Sequence, residues 1–442
     1  MTQLVYDNLL ASLYLLTWVV TLIWYHWRYH SLDAGSAIIG TYILYATSSI
    51  LTLNDPLFSV SYNPLKVFPY IYLYVMLMIA LLPIIYTHRH PSDTISDPST
   101  RVLKIIAIIS ILSAILLIPE IIANFSSGLV KLFTDIDAGS ENYMEQSEES
   151  EEAGHQITNL PAVIYNSIAE ITIFLFFYFM TLKNKPRLLI LGLLIATVIG
   201  LVIPIMHGSR GSVIMTTLTV IGAYMLFRRY LSSKINHAVQ VLGVGALIAI
   251  ALPIAAITVS RFGNMNGGIF GFLNWYVGQG SLYFNNYALD AGGIRHGDRT
   301  INMVKRLVDP STPKNYNEQR EKNHNMEIND DVFTTFVGDI ALDFGPIATV
   351  IIFVVFFGWI LTQIRPRDGT ISLHQLLLVY LTMCICMQGG MALFSFSYTA
   401  NLRLITMFML YAYLRYHDAL LKRFPLTTIS SEVNEEDHQT AI

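Results

Sequence analysis

Arg210 lies in a short polar break, His207-Gly208-Ser209-Arg210-Gly211-Ser212, between two long apolar stretches of the chain. A guanidinium group presents a planar fork of donors that fits phosphate oxygens bidentately. Held at a membrane edge by small glycine and serine residues, Arg210 would suit a phosphate or diphosphate headgroup. We therefore predict an anion site formed by Arg210, Ser209 and His207. For His207, a structural hydrogen bond is the alternative.

Arg403 is a second cation in an apolar setting. It lies about six residues into the last apolar run, or ~9 Å deep at 1.5 Å per residue. Ionisable side chains inside membrane spans usually face a cavity or a partner. One hypothesis is that Arg403 converges with Arg210 on one anionic headgroup. The alternative is that its long side chain snorkels to the membrane surface.

Three carboxylates are candidate general bases. Asp339 and Asp343 are four residues apart, which places both on one face of a helix. Two unpaired carboxylates would repel each other, so each is expected to pair with Arg403 or with an arginine of the preceding loop. The other hypothesis is that one of them takes the proton of an acceptor hydroxyl. Glu120, near the end of the fourth apolar run, is a further candidate for this role.

The longest connection of the chain contains a cluster of polar residues and a pair of aromatic residues that could bind substrate. Arg295 and Arg299 could bind an acidic sugar or a phosphate, and His296 or Asp298 between them could act as a base. The alternative is an ordinary solvated loop. Trp275 and Tyr276 offer apolar faces and polar edges that suit sugars, although tryptophan and tyrosine also favour membrane interfaces.

The elements that must position these side chains are apolar. The chain has 442 residues, of which 53% are hydrophobic and 13% are charged, whereas soluble domains carry about 25% charged residues. The net charge of −4 gives no reason to expect nucleic acid as a partner. We predict an all-α polytopic membrane protein in which residues 1–442 form one integral membrane domain embedded in a lipid bilayer.

Runs of roughly 20 apolar residues predict about 11 transmembrane helices. They lie near residues 4–27, 37–53, 67–87, 103–123, 160–182, 188–207, 213–228, 238–259, 345–363, 371–388 and 398–417. Basic residues follow every second run, which predicts that these connections are cytoplasmic. The N-terminus is then outside, and the tail 418–442 is cytoplasmic.

The connections on the opposite, extracytoplasmic side are longer and chemically more varied. They comprise an acidic loop at 124–159 and a large loop at 260–344, and Arg210 falls on the same side. Cys384 and Cys386 lie inside an apolar run and are predicted to be small packing residues. Because no nucleotide-binding or zinc motif is present, we expect neither a cofactor nor a metal.

Four features together resemble the bacterial oligosaccharide repeat-unit polymerases of the O-antigen polymerase family. They are the turn 208–211 after a span, the long outer loop before the last spans, the helix start 338–345 that ends in Asp-Phe-Gly, and Arg403 near the outer end of the last span. The resemblance implies a fold related to the lipid-carrier-dependent glycosyltransferases, located in the bacterial cytoplasmic (inner) membrane.

The resemblance also implies a reaction. A growing glycan on undecaprenyl diphosphate would be transferred at the outer face to a second undecaprenyl-diphosphate-linked oligosaccharide repeat unit. The product would be a surface polysaccharide, such as O-antigen of lipopolysaccharide, capsule or exopolysaccharide. Arg210 and Arg403 would then bind the diphosphate of the donor. A chain-length regulator and a flippase are the implied protein partners.

Two other functions stay open. An O-antigen ligase-like enzyme would use the same donor with a different acceptor, and the sequence does not separate it from a polymerase. A flippase or transporter of lipid-linked oligosaccharides belongs to another class. Transporters often contain related halves and broken helices. No repeated halves are visible here, but Glu170 in the middle of the fifth span could mark a proton path.

Overall fold

The structure is a computed structural model that describes residues 3–30, 32–96, 98, 100–123, 159–206, 209–262, 268–313, 316–328, 333–365, 369–388, 390 and 398–423. It is mostly helical, at 81%, and contains several long apolar helices. The predicted class of an all-α polytopic membrane protein is confirmed at this level. Most of the acidic loop, at 124–158, and the end of the tail, at 424–442, lie outside the described residues.

The elements follow one another along the chain in this order. They are α1 (Gln3–Tyr29), α2 (Ala34–Leu53), α3 (Val67–Arg89), β1 (Thr94–Ser96), α4 (Thr100–Leu116), α5 (Leu160–Ser167), α6 (Ala169–Thr181), α7 (Arg187–Met206), α8 (Arg210–Phe227), α9 (Ser233–Phe262), α10 (Gly268–Tyr283), α11 (Asn302–Val308), α12 (Tyr316–Lys322), α13 (Thr335–Phe344), α14 (Pro346–Gln363), β2 (Thr370–Ser372), α15 (Leu373–Gln388) and α16 (Tyr398–Arg423).

Every predicted span coincides with a helix, but fewer helices meet the requirements for crossing a membrane. In the described part of the chain, eight are long and apolar enough, and a ninth is added if the bent pair α5–α6 is one span. The remaining two predicted spans are α15 and α16. Helix α15 has only 16 residues, and α16 carries several charged side chains.

Helix α15 lies in the protein interior, where a short helix needs no lipid-matching length. It packs against α3, α8 and α16, and nearly all of its side chains are buried. Cys384 and Cys386 are free and buried within it, which confirms that they are packing residues. A helix surrounded by protein can therefore belong to the membrane domain without being long or uniformly apolar.

The connections that follow the first, third, seventh and ninth predicted spans meet at one end of the bundle. Asp33 caps the start of α2, and its carboxylate lies 3.6 Å from His88 Nδ1. The hydroxyls of Ser92 and Tyr230 are hydrogen-bonded at 2.6 Å. Strands β1 and β2 form a two-stranded parallel sheet. These contacts agree with a chain that crosses the membrane back and forth, because the connections after odd-numbered spans then lie on the same side.

The segment predicted as a long outer loop, 260–344, is largely helical in its described parts. Helix α10 begins and ends beside the connection between α2 and α3. A Cβ added at Gly271 would lie 2.6 Å from Asp55 Oδ2, and the Asn285 side chain exchanges hydrogen bonds of 2.8 Å with the backbone of Lys66. Helix α10 thus starts and finishes at one end of the bundle, as the predicted outer position of this segment requires.

Helix α10 crosses α2 closely at Gly278. The Ser49 hydroxyl donates to the Gly278 carbonyl at 2.7 Å, and a Cβ at Gly278 would lie 2.4 Å from the Ser48 carbonyl carbon. Since backbone cannot yield as a side chain can, we expect Gly278→Ala to destabilise the protein by about 1–3 kcal/mol. A lower melting temperature in detergent would show this.

Gly243→Ala is the matched control for this prediction. Gly243 lies in α9, and no atom comes within 4 Å of the Cβ position there. Alanine favours helix over glycine by about 1 kcal/mol, so this variant should melt at or above the wild-type temperature. Equal melting temperatures for the two variants would contradict the close crossing of α10 and α2.

Candidate functional site

The fifth predicted span is broken in its N-terminal half. Helix α5 ends at Ser167, and α6 starts at Ala169 with its axis bent by 56°. A break within a membrane frees backbone carbonyls, and these require donors because lipid supplies none. The Thr406 hydroxyl of α16 donates to Ser167 O at 2.6 Å. The Tyr380 hydroxyl of α15 donates to Glu170 O at 2.9 Å.

Arg403 is bound at the same break. Its Nε donates to the carbonyl oxygen of Asn166 at 2.7 Å, and its Nη1 donates to Glu170 Oε1 at 3.2 Å. The Arg403 side chain is 27% exposed, whereas that of Glu170 is 8% exposed. Arg403 therefore does not simply snorkel to the surface, because two oxygens of the fifth span fix its orientation.

In the Arg403–Glu170 pair, one guanidinium nitrogen and one carboxylate oxygen are left without a hydrogen bond to the described residues. Among the residues that the structure describes, Arg403 Nη2 has no hydrogen-bond partner, and buried Glu170 Oε2 has none either. The guanidinium thus has a fixed plane, one carboxylate as counter-ion and an accessible N–H edge. Charge-assisted bonds from such a preoriented group to phosphate oxygens are among the stronger hydrogen bonds in proteins.

The Arg210 segment is described only in part. Helix α8 begins at Arg210, but the Arg210 side chain and all of His207 lie outside the described residues. The Ser209 hydroxyl is hydrogen-bonded to the Ser212 hydroxyl at 2.9 Å. The convergence of Arg210 and Arg403 on one ligand therefore stays a prediction.

Tyr276 lies between the starts of α8 and α13. A Cβ added at Gly211 would lie 2.7 Å from the Tyr276 hydroxyl oxygen, and the Tyr276 ring meets Phe333 edge-on with centroids 5.1 Å apart. The neighbouring Trp275 stacks on Phe58 at 5.2 Å. Tyr276 is thus placed beside the residue that follows Arg210, while Trp275 belongs to a separate aromatic cluster.

Asp343 is fully occupied by partners from the preceding segment. Its Oδ1 accepts from Arg295 Nε at 2.7 Å, and its Oδ2 accepts from both the amide and the hydroxyl of Thr300 at 2.7 Å. Asp343 and Arg295 are both buried. A carboxylate in this setting would have to break these bonds before it could take a proton from a substrate.

Asp339 lies one helical turn earlier and faces the same arginines. Its Oδ1 is 3.7 Å from Arg295 Nη2 and 3.6 Å from Arg299 Nε, and all three side chains are buried. Of the two expected kinds of partner, the loop arginines are the ones observed. Arg295 and Arg299 are therefore engaged inside the protein rather than presented to solvent as an ordinary loop would present them.

The other two predicted bases are accessible. His296 is exposed, at a backbone φ of 55° directly beside this cluster. Glu120 is exposed near the end of the fourth span, and its Oε2 accepts from the Asn159 amide at 3.0 Å. Each keeps free lone pairs of the kind that a general base needs. The structure brings neither of them into hydrogen-bond contact with Arg403.

Three functional or structural contacts were missed by sequence reasoning. Glu170 and Arg403 were considered separately, although opposite charges in two apolar runs are a signal for pairing. The role of Thr300 gave no sequence signal. Asp298 was predicted only as a possible base, whereas it is buried and bound by the ammonium groups of Lys305 and Lys322. Among the described residues, no group of three or more possible metal ligands lies together.

Comparisons with protein-family models, with curated proteins and with solved structures give no match for this chain. What the described residues do establish is the class. The chain is a mostly helical protein whose long apolar helices indicate that it is embedded in a membrane.

Proposed function

We propose that this protein is a membrane glycosyltransferase that polymerises undecaprenyl-diphosphate-linked oligosaccharide repeat units into a surface polysaccharide. The reaction takes place at the outer face of the bacterial cytoplasmic membrane. One observation carries the proposal most directly. Arg403 is partly exposed between helices, is oriented by Asn166 and Glu170, and still presents an N–H edge that none of the described residues engages. That arrangement suits the diphosphate of a lipid-linked donor.

The chemistry follows from where charge develops. The bond between the donor sugar and the diphosphate oxygen breaks, a bond to the acceptor hydroxyl oxygen forms, and the hydroxyl proton passes to a base. The departing diphosphate gains negative charge, so a preoriented guanidinium stabilises the transition state more than the ground state. Arg210 supplies the second cation in this proposal. The Tyr276 hydroxyl lies beside Gly211, the residue that follows Arg210.

The base is best sought among accessible groups. Glu120 and His296 are exposed, whereas both oxygens of Asp343 are occupied and Asp339 faces two buried arginines. Glu120 and His296 are therefore the bases that we favour. Asp339 and Asp343 are better suited to stabilising the outer segment against α13.

Chain growth from a single substrate tests this function. The purified protein would be reconstituted in liposomes with one lipid-linked repeat unit and no other acceptor, and the glycans would be separated by length. We expect a ladder of products that differ by one repeat unit. A ligase would leave the units unextended, and so would a protein of any other function, so a lack of the ladder would contradict the proposal.

A flippase or transporter is the second candidate, and the broken span is the observation that favours it. Transporters place substrate and ion sites at discontinuous helices, and Glu170 is a buried carboxylate at such a discontinuity. In the same liposomes, a flippase would move labelled lipid-linked units between leaflets without lengthening them. Movement without elongation would favour this candidate over the polymerase.

A further inference from the structure

Helix α11 exposes its apolar face. Ile301, just before the helix, is 42% exposed, and Val304, Leu307 and Val308 are 45%, 80% and 85% exposed. These residues recur every three or four positions, so they form one continuous helix face. Soluble helices bury such a face, and exposed apolar patches mark surfaces that contact a partner or a membrane.

The opposite side of the same segment buries polar groups. The Asn302 amide donates to Asp298 O at 2.9 Å and to Pro313 O at 2.7 Å. The Lys305 ammonium group binds the buried Asp298 carboxylate. Asn302 and Lys305 thus face the protein beside the buried Met303. The outward side is nevertheless apolar, which is not the arrangement that water favours.

The exposed face lies at the end of a membrane span. Ile294 is close to Gly345, since a Cβ there would lie 3.6 Å from Ile294 Cγ2, and a Cβ at Gly297 would meet both Ile301 and Phe344. The span α14 starts directly after Gly345, and its second residue, Ile347, is 79% exposed. Helix α11 also contacts α16. The apolar face is therefore continuous with the lipid-facing side of α14.

We propose that this surface, the α11 patch (Ile294, Ile301, Val304, Leu307, Val308 and Ile347), inserts into the bilayer at the boundary between headgroups and acyl chains. Short amphipathic segments bind membranes by burying an apolar face to this depth. Arg306 is partly exposed on the same helix and can reach lipid phosphates from there. A lipid surface is favoured over a second copy of the chain because the patch continues a surface that lipid already covers.

Insertion of α11 would fix the position of the segment that contains Arg295 and Asp298 relative to the membrane surface. Asp298, which binds the α11 residue Lys305, and Arg295, which binds Asp343, belong to one short stretch of chain. Anchoring α11 in the bilayer would therefore set the distance of the buried charge cluster from the membrane surface. The inference depends only on α14 being a span, so it holds whichever end of the bundle is cytoplasmic and whatever reaction the protein performs.

Fluorescence quenching by lipid tests the proposal on the full chain. Leu307→Trp would be reconstituted as single copies in nanodiscs with and without lipid brominated just below the headgroup. The wild-type emission, which comes from 5 tryptophans, would be subtracted. Glu321→Trp, at an exposed position of α12 outside the patch, is the matched control. Val308→Trp is a second variant in case Leu307→Trp does not fold.

We expect brominated lipid to remove at least about threefold more of the added emission at position 307 or 308 than at position 321, because only the patch reaches acyl chains. Equal quenching at all positions would overturn the proposal. So would an unquenched patch combined with disulfide crosslinking of Leu307→Cys between copies in liposomes, since that result would identify a second chain as the occupant.

Discussion

Replacing Arg403 with alanine is expected to abolish chain growth in liposomes containing lipid-linked repeat units. Arg403 supplies a partly exposed, preoriented N–H edge, and removing one such donor to a developing negative charge lowers rates by about 10²- to 10³-fold. The loss should appear in the rate of elongation under saturating donor. Arg403→Lys should keep part of the activity, because lysine retains the charge but loses the planar fork.

Arg403→Ala alone leaves Glu170 buried without its counter-ion, which could unfold the protein. The double variant Arg403→Ala and Glu170→Ala removes both charges and is the appropriate control. We expect it to fold, with a melting temperature near that of the wild type, and to be as inactive as the single variant. A double variant that elongates glycans at the wild-type rate would contradict a role for Arg403 in the reaction.

Asp343→Ala is expected to destabilise the packing of residues 295–300 against α13 by about 3–5 kcal/mol, because it leaves the Arg295 guanidinium buried without its closest carboxylate. It also removes Asp343 Oδ2, the oxygen that accepts both Thr300 hydrogen bonds. The change should appear as a lower melting temperature and as faster protease cleavage within residues 290–330.

Two variants give this prediction its controls. Asp309→Ala removes a carboxylate whose hydrogen bonds to described residues come from Ser311 in an exposed turn, and surface changes of this kind stay within about 0.5 kcal/mol. Arg295→Met combined with Asp343→Leu removes both buried charges and should recover much of the lost stability. Wild-type melting behaviour of Asp343→Ala would show that the ion pair does not stabilise the segment.

The positions of the long apolar helices were predictable from the sequence because the length of each apolar run determines them. The runs near 67–87 and 188–207 became α3 and α7 with nearly the same bounds, since a chain in lipid must satisfy its backbone within each segment. The shared face of Asp339 and Asp343 followed in the same way from helical spacing. Both carboxylates meet the same buried arginine.

The break between α5 and α6 was not predicted. The polar residues Asn166, Ser167 and Glu170 lie at or near it in the run 160–182, but they do not by themselves determine a bend. The groups that stabilise it, such as Arg403 and Thr406, lie more than two hundred residues later in the chain. Long-range partners of this kind also decided that Arg295 and Arg299 are buried. Their spacing alone was equally compatible with a solvated loop.

The position of α15 has a consequence for biosynthesis. The helix against which α3 and α8 pack comes after α1–α14 in the chain, so a ribosome makes it only after all of those helices. Until then β1 has no partner strand, because β2 directly precedes α15. During synthesis, α3 and α8 must therefore stay in the bilayer without α15. A nascent chain that stops before residue 370 cannot form the contacts of α15 or the pairing of β1 with β2.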